Sequence, residues 1–406
     1  MEVDLTTVGA TVREARERAG LSQRALEAAT GISQSTLHRV EIGKHTTASL
    51  ADFDRIAQAL DVRLDELLYG SPVRERARVA ARTASGCDVR ESLQDAMDHG
   101  IELLKLDDRL DAVVPYLRQA TAGLELDLPA SGSPGERGEA AAKWVRDALC
   151  LGIAPIADLV EIVERLAGVD VGTAPLPQGV SGICATDPQR ETTIVLINSD
   201  DVAERQRFTL AHELGHLVFG DGTHVDEADG QRTPREITCD EFARHLLIPQ
   251  DGIRTWLSPP GGSRESQADE RTMALLSRHF GTSPEVTRIQ LRLMDLLPTS
   301  LAEGPVPSGR QWAYEFGWGP QFDSTQEASA WPRVPRRILD RATEAYRDGK
   351  LGVRALARLQ NRPVEEVEQA LAEAGVRVAP VVRRADISAL TARARARSTL
   401  GNRPGT

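Results

Sequence analysis

Apolar and polar residues alternate along this chain with two different periods, and the changes of period mark its parts. In residues 21–60 three short blocks follow one another: SQRALEAATG, ISQSTLHRVEIGK and SLADFDRIAQAL. Their apolar members lie three or four apart, the spacing that lines one face of a helix. Ser22 and Ser33 stand where N-caps belong and Gly31 stands between them, which predicts helix, turn, helix. Residues 71–128 keep a helical period, with Leu93, Met97, Ile101, Leu104 and Leu110 on one face. The run LPASGSPGERG at 128–138 then has the composition of a linker. VSGICAT (180–186) and TTIVLIN (192–198) predict two strands. Beyond residue 208 the period is helical again, through 269–280 and 284–297. A Pro/Gly-rich, Trp-bearing stretch at 298–335 follows, and then helices near 336–346, 353–359 and 364–374.

Residues 208–219, FTLAHELGHLVF, are apolar nearly all round, which predicts a buried helix. Within it His212, Glu213 and His216 form His-Glu-x-x-His. A gap of four on a 3.6-residue helix places both imidazoles on one face, where they can reach a single Zn²⁺. Glu213 points to the side, where it can take a proton from a water on such an ion and pass it to the amine of a cleaved peptide. The alternative is two core histidines satisfied by backbone carbonyls. A metal accounts for all three buried polar side chains together.

A catalytic zinc site takes three protein ligands and leaves one position open. Phe219 and Gly222 stand where the metzincin pattern needs glycine and histidine, so the third ligand lies elsewhere. In PREITCDEFARHLLIP (234–249), Pro234 and two acids open a helix whose Ile237, Phe242, Leu246 and Leu247 face a core. Glu236 and Asp240 share its other face at i, i+4. Glu236 is the candidate third ligand, and Asp240 is placed to fix the tautomer of a ligand imidazole. The alternative makes both ordinary acids favoured by the helix dipole. No oxyanion donor stands out; His224 and His245 are the candidates, a solvated or packed histidine being the alternative for each.

Two resemblances follow from these motifs. The helix near 141–149, Pro155-Ile156 with 159–166, the strand ending at Asn198, RQRFTLAHELGH and finally E-x-x-C-D-x-F-A-x-x-L-L-I-P resemble the ImmA/IrrE family of metallopeptidases. That likeness implies a gluzincin-like site with Glu236 as third ligand. Cys239 replaces the family's alanine and Ile248 its methionine, small apolar swaps that leave the ligand set intact. Residues 8–68 resemble the XRE/Cro-type DNA-binding domain, with L-S-Q-x-x-L, the glycine turn and E-x-G-K in register. It implies that Gln34, Ser35 and Arg39 reach base edges in a double-stranded operator, with Gln23 and Lys44 at phosphates.

The fold class expected is mainly α and multidomain. A five-helix XRE/λ-repressor-like domain spans 1–70 and a helical connector or dimer arm 71–137, with packing into the peptidase domain as the alternative. An α+β zincin-like domain with a small sheet spans 138–298, a helical extension 299–382, and a basic tail 383–406. The strand before the zinc helix is expected to offer its edge to an extended substrate.

Charge changes part of this picture. Residues 1–70 hold eight Lys or Arg against eleven Asp or Glu, where a DNA-binding domain is ordinarily basic. Operator binding is therefore expected to be modest, salt-sensitive and helped by homodimerisation. A helical domain used for protein contacts is the alternative. The tail carries six arginines against Asp386 and suits either nucleic acid or solvent. No apolar run reaches membrane-spanning length, and Glu2 and Asp4 stand where a signal peptide needs basic and apolar residues, so a cytoplasmic address is expected. Cys87, Cys150, Cys184 and Cys239 sit singly, which speaks against a disulfide framework or a Cys-x-x-Cys metal site.

The functional expectation is a DNA-binding transcriptional regulator with zinc-dependent endopeptidase activity. It would cleave a partner XRE-type repressor, as the resemblance implies, or its own connector. Two alternatives stand beside it: a transcription factor whose peptidase-like domain is a non-catalytic sensor, and a component of a toxin–antitoxin or mobile-element module.

Overall fold

The computed structural model describes residues 5–44, 48–60, 62, 64–69, 72–83, 90–115, 132–220, 233–258 and 267–378. The chain divides into two compact units, Met1–Ala77 and Arg78–Thr406. The first holds α1 (Leu5–Arg18), α2 (Gln23–Thr30), α3 (Gln34–Glu41), α4 (Leu50–Ala59), α5 (Leu64–Tyr69) and the single turn α6 (Pro72–Arg76). Ser22 accepts the Ala25 N–H and Ser33 the Thr36 N–H, so both expected caps form. Gly31 ends α2 at φ 69°, a left-handed conformation that costs a residue with a Cβ. Val8, Val12, Leu26, Leu37, Val40, Phe53, Ile56 and Leu67 make the core.

Beneath α3, Glu41 is buried and pairs with Arg16 (Nε to Oε1, 2.6 Å), while the Gln23 amide donates to its other oxygen at 2.8 Å. Burial pushes the Glu41 carboxyl up, but the bonds from Arg16 and Gln23 outweigh it and hold it below the usual range. A carboxyl so held stabilises the fold above its unfolded pKa, and that contribution is lost as pH falls through its folded value. Glu41→Gln is expected to cost about 3 kcal/mol at neutral pH. The gap from wild type should narrow in acid, as thermal unfolding followed by circular dichroism will read; a gap constant across the carboxylate range would count against it.

The second unit is built on four strands, β1 (Arg78–Thr83), β2 (Asp170–Ala174), β3 (Val180–Asp187) and β4 (Thr192–Asn198), in the order β1-β3-β4-β2. Only β2 and β4 run parallel. α7 (Arg90–Val113) packs on one face, where Gly100 meets Ala185; a Cβ there would lie 2.9 Å from the Ala185 Cβ. On the other face Ala80, Val171, Cys184, Val195 and Ile197 share a core with α8 (Pro134–Ala148), α9 (Leu159–Ala167), α10 (Ala203–Val218) and α11 (Pro234–Leu247). The chain continues through α12 (Gln250–Leu257), α13 (Glu270–Phe280), α14 (Pro284–Leu293), α15 (Thr299–Glu303), α16 (Gly309–Glu315), α17 (Gly319–Ser329), α18 (Arg336–Arg347), α19 (Val353–Leu359) and α20 (Val364–Glu373). Ile253, Met273, Phe280, Leu291, Trp312 and Trp318 form a further core there.

Four expectations are corrected. The stretch 71–137 is no free-standing connector: β1 is a sheet strand paired with β3 and α7 covers the sheet, because the apolar face of α7 has the sheet to bury against. The expected linker 128–138 is cut short, since Ser133 and Glu136 form a capping box that starts α8 at Pro134. The boundary at 298 does not hold either, because Trp312 and Trp318 complete a core begun by Met273 and Phe280. Finally, β4 lies between β3 and β2, so its backbone is spent on both sides and it offers no edge to a substrate.

A buried charge cluster holds the late helices to this sheet. Asp107 of α7 is fully buried and takes Arg341 (2.5 Å), Arg190 (2.8 Å) and Arg337 (3.1 Å). Arg341 also reaches Asp111 at 2.5 Å, and Arg337 reaches Asp170 on β2. α7, the β3–β4 turn, β2 and α18 are thereby tied at one point. The tail 383–406 and Cys87 lie outside the described residues.

Candidate metal centre

α10 begins at Val202, which supplies no side-chain cap. The orphan Ala203 N–H is met instead by Gln326 of α17, whose Oε1 lies 2.8 Å away, while the Gln326 amide donates to Glu204 at 3.1 Å. Two and three turns on, the helix is wholly buried and carries His212 (1% exposed), Glu213 (6%) and His216 (9%). α11 starts on the Thr233 cap and Pro234, which puts Glu236 in its first turn.

The helices meet at a small-residue contact. A Cβ on Gly215 would lie 3.1 Å from the Phe242 ring and 3.3 Å from Cys239 Cα and Cβ. The glycine between the two histidines, with a small residue at 239, lets α11 come near enough for Glu236 to reach across. Gly138 does the same on the other side: its added Cβ would stand 2.5 Å from the Thr238 carbonyl oxygen, so α8 rests directly on the α11 backbone.

Across this contact the side chains converge. His212 Nε2 is 3.2 Å from one Glu236 oxygen, His216 Nε2 is 3.2 Å from the other, and the two Nε2 atoms are 3.0 Å apart. Three ligands at about 2.0–2.1 Å on a tetrahedral ion are themselves about 3.3 Å apart, so the spacing fits one metal ion. The group can hold such an ion. Asp240 Oδ1 lies 2.9 Å from His212 Nδ1, and an ionised carboxylate only accepts, so Nδ1 carries the proton and Nε2 presents its lone pair. Burial pushes the Glu236 carboxyl up, but hydrogen bonds and charge from both histidines outweigh it and hold it well below the usual range. Glu236 thus faces the imidazoles and does not cap its own helix.

β3 forms a wall beside Glu213. The Cys184 thiol is pushed up to about 12, first by burial and then by the nearby Glu213 charge. His245 is a packed side chain of α11. It is buried, 3.4 Å from the Gln290 amide and near Glu139 and Glu241, and burial followed by the Arg244 charge pushes it down to about 4. His224 lies outside the described residues.

In the first unit Gln34, Ser35 and Arg39 are exposed on α3 and Lys44 just beyond it, as a reading helix requires. His38 shares that exposed surface, and Ile42 is 43% exposed at the helix end. Neither is singled out from the sequence, although His38 at i+3 and Ile42 at i+7 from Ser35 fall on the same helix face. Gln23, at the start of α2, gives one of its two amide N–H donors to Glu41.

Residues 7–68 match the family of the helix-turn-helix domain and residues 165–292 that of the IrrE N-terminal-like domain. The radiation response metalloprotease IrrE of Deinococcus deserti is 35% identical over 117 residues, 26% of this chain and 40% of that protein. Its counterpart from Deinococcus radiodurans is 34% identical over 122 residues, 28% of this chain and 36% of that protein. The chain thus spans about two fifths of the length of the curated relatives it matches. Against the crystal structure of Bacillus thuringiensis PlcR with the peptide PapR7 and DNA, identity is 12% and the TM-score 0.15, over 80% of this chain and 99% of that one. The chain carries a helix-turn-helix domain and an IrrE-like peptidase domain.

Proposed function

We propose that this protein is a DNA-binding transcriptional regulator and zinc-dependent endopeptidase, which cleaves a repressor-type partner protein or its own chain. The convergence of His212, His216 and Glu236 within 3.0–3.2 Å of one another carries the reading. A zinc ion, when bound, supplies Lewis acidity that acidifies a water and polarises a peptide carbonyl. The protein's own residues do the rest. His212 and His216 offer two neutral imidazoles, and Glu236 adds the charge of a carboxylate. Asp240 holds the His212 ring in one tautomer and orientation. Glu213 takes the proton of the attacking water and delivers it to the departing amine. Exposed Gln34, Ser35 and Arg39 meet base edges in an operator, with Lys44 at its backbone. Such an operator places its work in the cytoplasm; among the described residues no helix is long and apolar enough to cross a membrane.

The purified chain is expected to retain about one equivalent of zinc and to cut a helix-turn-helix repressor encoded near its own gene, with fragments identified by mass spectrometry. A chelator should stop the cut and zinc restore it. His212→Ala should hold no metal and cut nothing. Cleavage that persists in His212→Ala would end the reading.

A further inference from the structure

β3 runs beside the metal centre. A Cβ added to Gly182 would stand 3.0 Å from Thr209 Cγ2 on α10, and the Cys184 thiol feels the charges of both Glu213 and His216. Within the IrrE-like stretch 165–292, which holds β2, β3 and β4, the order β3-β4-β2 makes β3 an outer strand. An outer strand beside a peptidase centre is where an extended substrate pairs, backbone to backbone. In this chain that side of β3 is taken. β1 lies antiparallel along it, with Ala80 opposite Cys184 and Arg78 opposite Thr186. Residues facing each other across such a ladder are about 5 Å apart, so Ala80 is one strand spacing from the residue that borders Glu213.

The make-up of β1 suits exchange. Ala80 and Ala81 bury one methyl each, and Val79 is the one larger apolar side chain beside them. The strand is therefore held mainly by its ladder bonds, which an incoming strand would replace one for one. Its register already shifts between Arg82 and Thr83, and among the described residues no further strand lies on its outer side. α7 has seats of its own: Gly100 rests on Ala185 and Ile183 of β3, and Asp107 and Asp111 are tied to Arg190 and Arg341. β1 also starts at Arg78, the first residue after the helix-turn-helix unit. A displacement of that unit reaches β1 through the chain before any other element of the second.

We propose that β1 is an internal occupant of the substrate edge: residues 78–83 lie on β3 where an extended substrate would pair, and cleavage of a partner waits for them to leave. The proposal rests on the peptidase reading of the metal centre.

Arg78→Cys/Thr186→Cys sets two thiols across the ladder at a distance a disulfide spans, away from the metal ligands. The two redox states of this one zinc-loaded full chain are compared. The reduced form should cut the repressor at the wild-type rate, and the oxidised form at least about tenfold more slowly with its zinc unchanged, because the competent fraction falls. A phosphine reductant should restore the cut. Ala80→Pro/Ala81→Pro, which takes ladder donors from β1, should cut faster and bind the fluorescein-labelled peptide ARVAART at least about tenfold more tightly than the wild type. Hydrogen exchange on the wild type needs neither a variant nor cleavage: amides of 78–83 should exchange at least about tenfold faster than those of β4, since β1 opens alone. Equal cleavage by the two redox states, equal peptide binding by the wild type and the proline variant, or exchange in β1 no faster than in β4 would each overturn the proposal. Should no form cut the repressor, the peptidase reading falls by itself, while peptide binding and exchange still decide what holds the edge of β3.

Discussion

Glu213→Gln is expected to keep its metal and to lose about 10²–10⁴-fold in peptide cleavage. The two side chains have nearly the same shape, and Glu213 is not among the three residues whose donor atoms converge, so the His212, His216 and Glu236 geometry is left as it stands. What disappears is a group able to accept a proton. At 6% exposure Glu213 has little bulk water to share that task. Metal content by mass spectrometry and single-turnover cleavage of the repressor substrate separate the two effects. A variant that cleaves at the wild-type rate would remove Glu213 from the mechanism. One that also loses its metal would show Glu213 to be structural. In cells the same substitution distinguishes a cutter from a sensor: a regulon that switches normally with Glu213→Gln does not need hydrolysis.

The features that were legible before the fold are those whose partners are close in sequence. Ser22, Gly31 and Ser33 announce two helices because caps and turns act over three or four residues. His212 and His216 are readable as a pair because one helix sets their spacing, and Glu236 with Asp240 because another does. That both helices would bring their faces together rests on Gly215 and Cys239, where a small residue matters only in view of what lies opposite. β1 was hidden for the same reason: RVAART at 78–83 has little local strand character and becomes a strand by pairing with β3, about a hundred residues later. Nothing local pairs Arg341 of α18 with Asp107 and Asp111, which lie more than two hundred residues earlier in the chain.

Asp107→Ala is expected to destabilise the second unit by about 3–5 kcal/mol, lowering its melting temperature by roughly 10 °C. The side chain is fully buried and takes three guanidinium groups, from Arg190, Arg337 and Arg341. Removing it leaves three cations facing one another in a low-dielectric site, with Asp111, Asp170 and the half-exposed Asp108 still beside them. That is worse than losing an attraction, because each arginine has already given up its water. Asp108→Ala is the control: its carboxylate is 43% exposed and pairs with Arg190 at 3.3 Å, so its loss should cost under about 1 kcal/mol. Calorimetry of the two variants side by side decides the matter. Equal melting temperatures would mean the cluster holds nothing together.

The cap that Gln326 places on α10 sets an order in time as well as in space. A ribosome adding about 5–20 residues per second needs roughly 6–25 seconds to pass from Ala203 to Gln326, 123 positions later. From Glu236 onward, about the last three quarters of that interval, a nascent chain carries both histidines and both glutamates, yet the helix bearing three of them starts on a bare amide. Hydrolytic competence at this centre would therefore ripen late in synthesis, after the helix-turn-helix unit has long been free to fold and to find its operator.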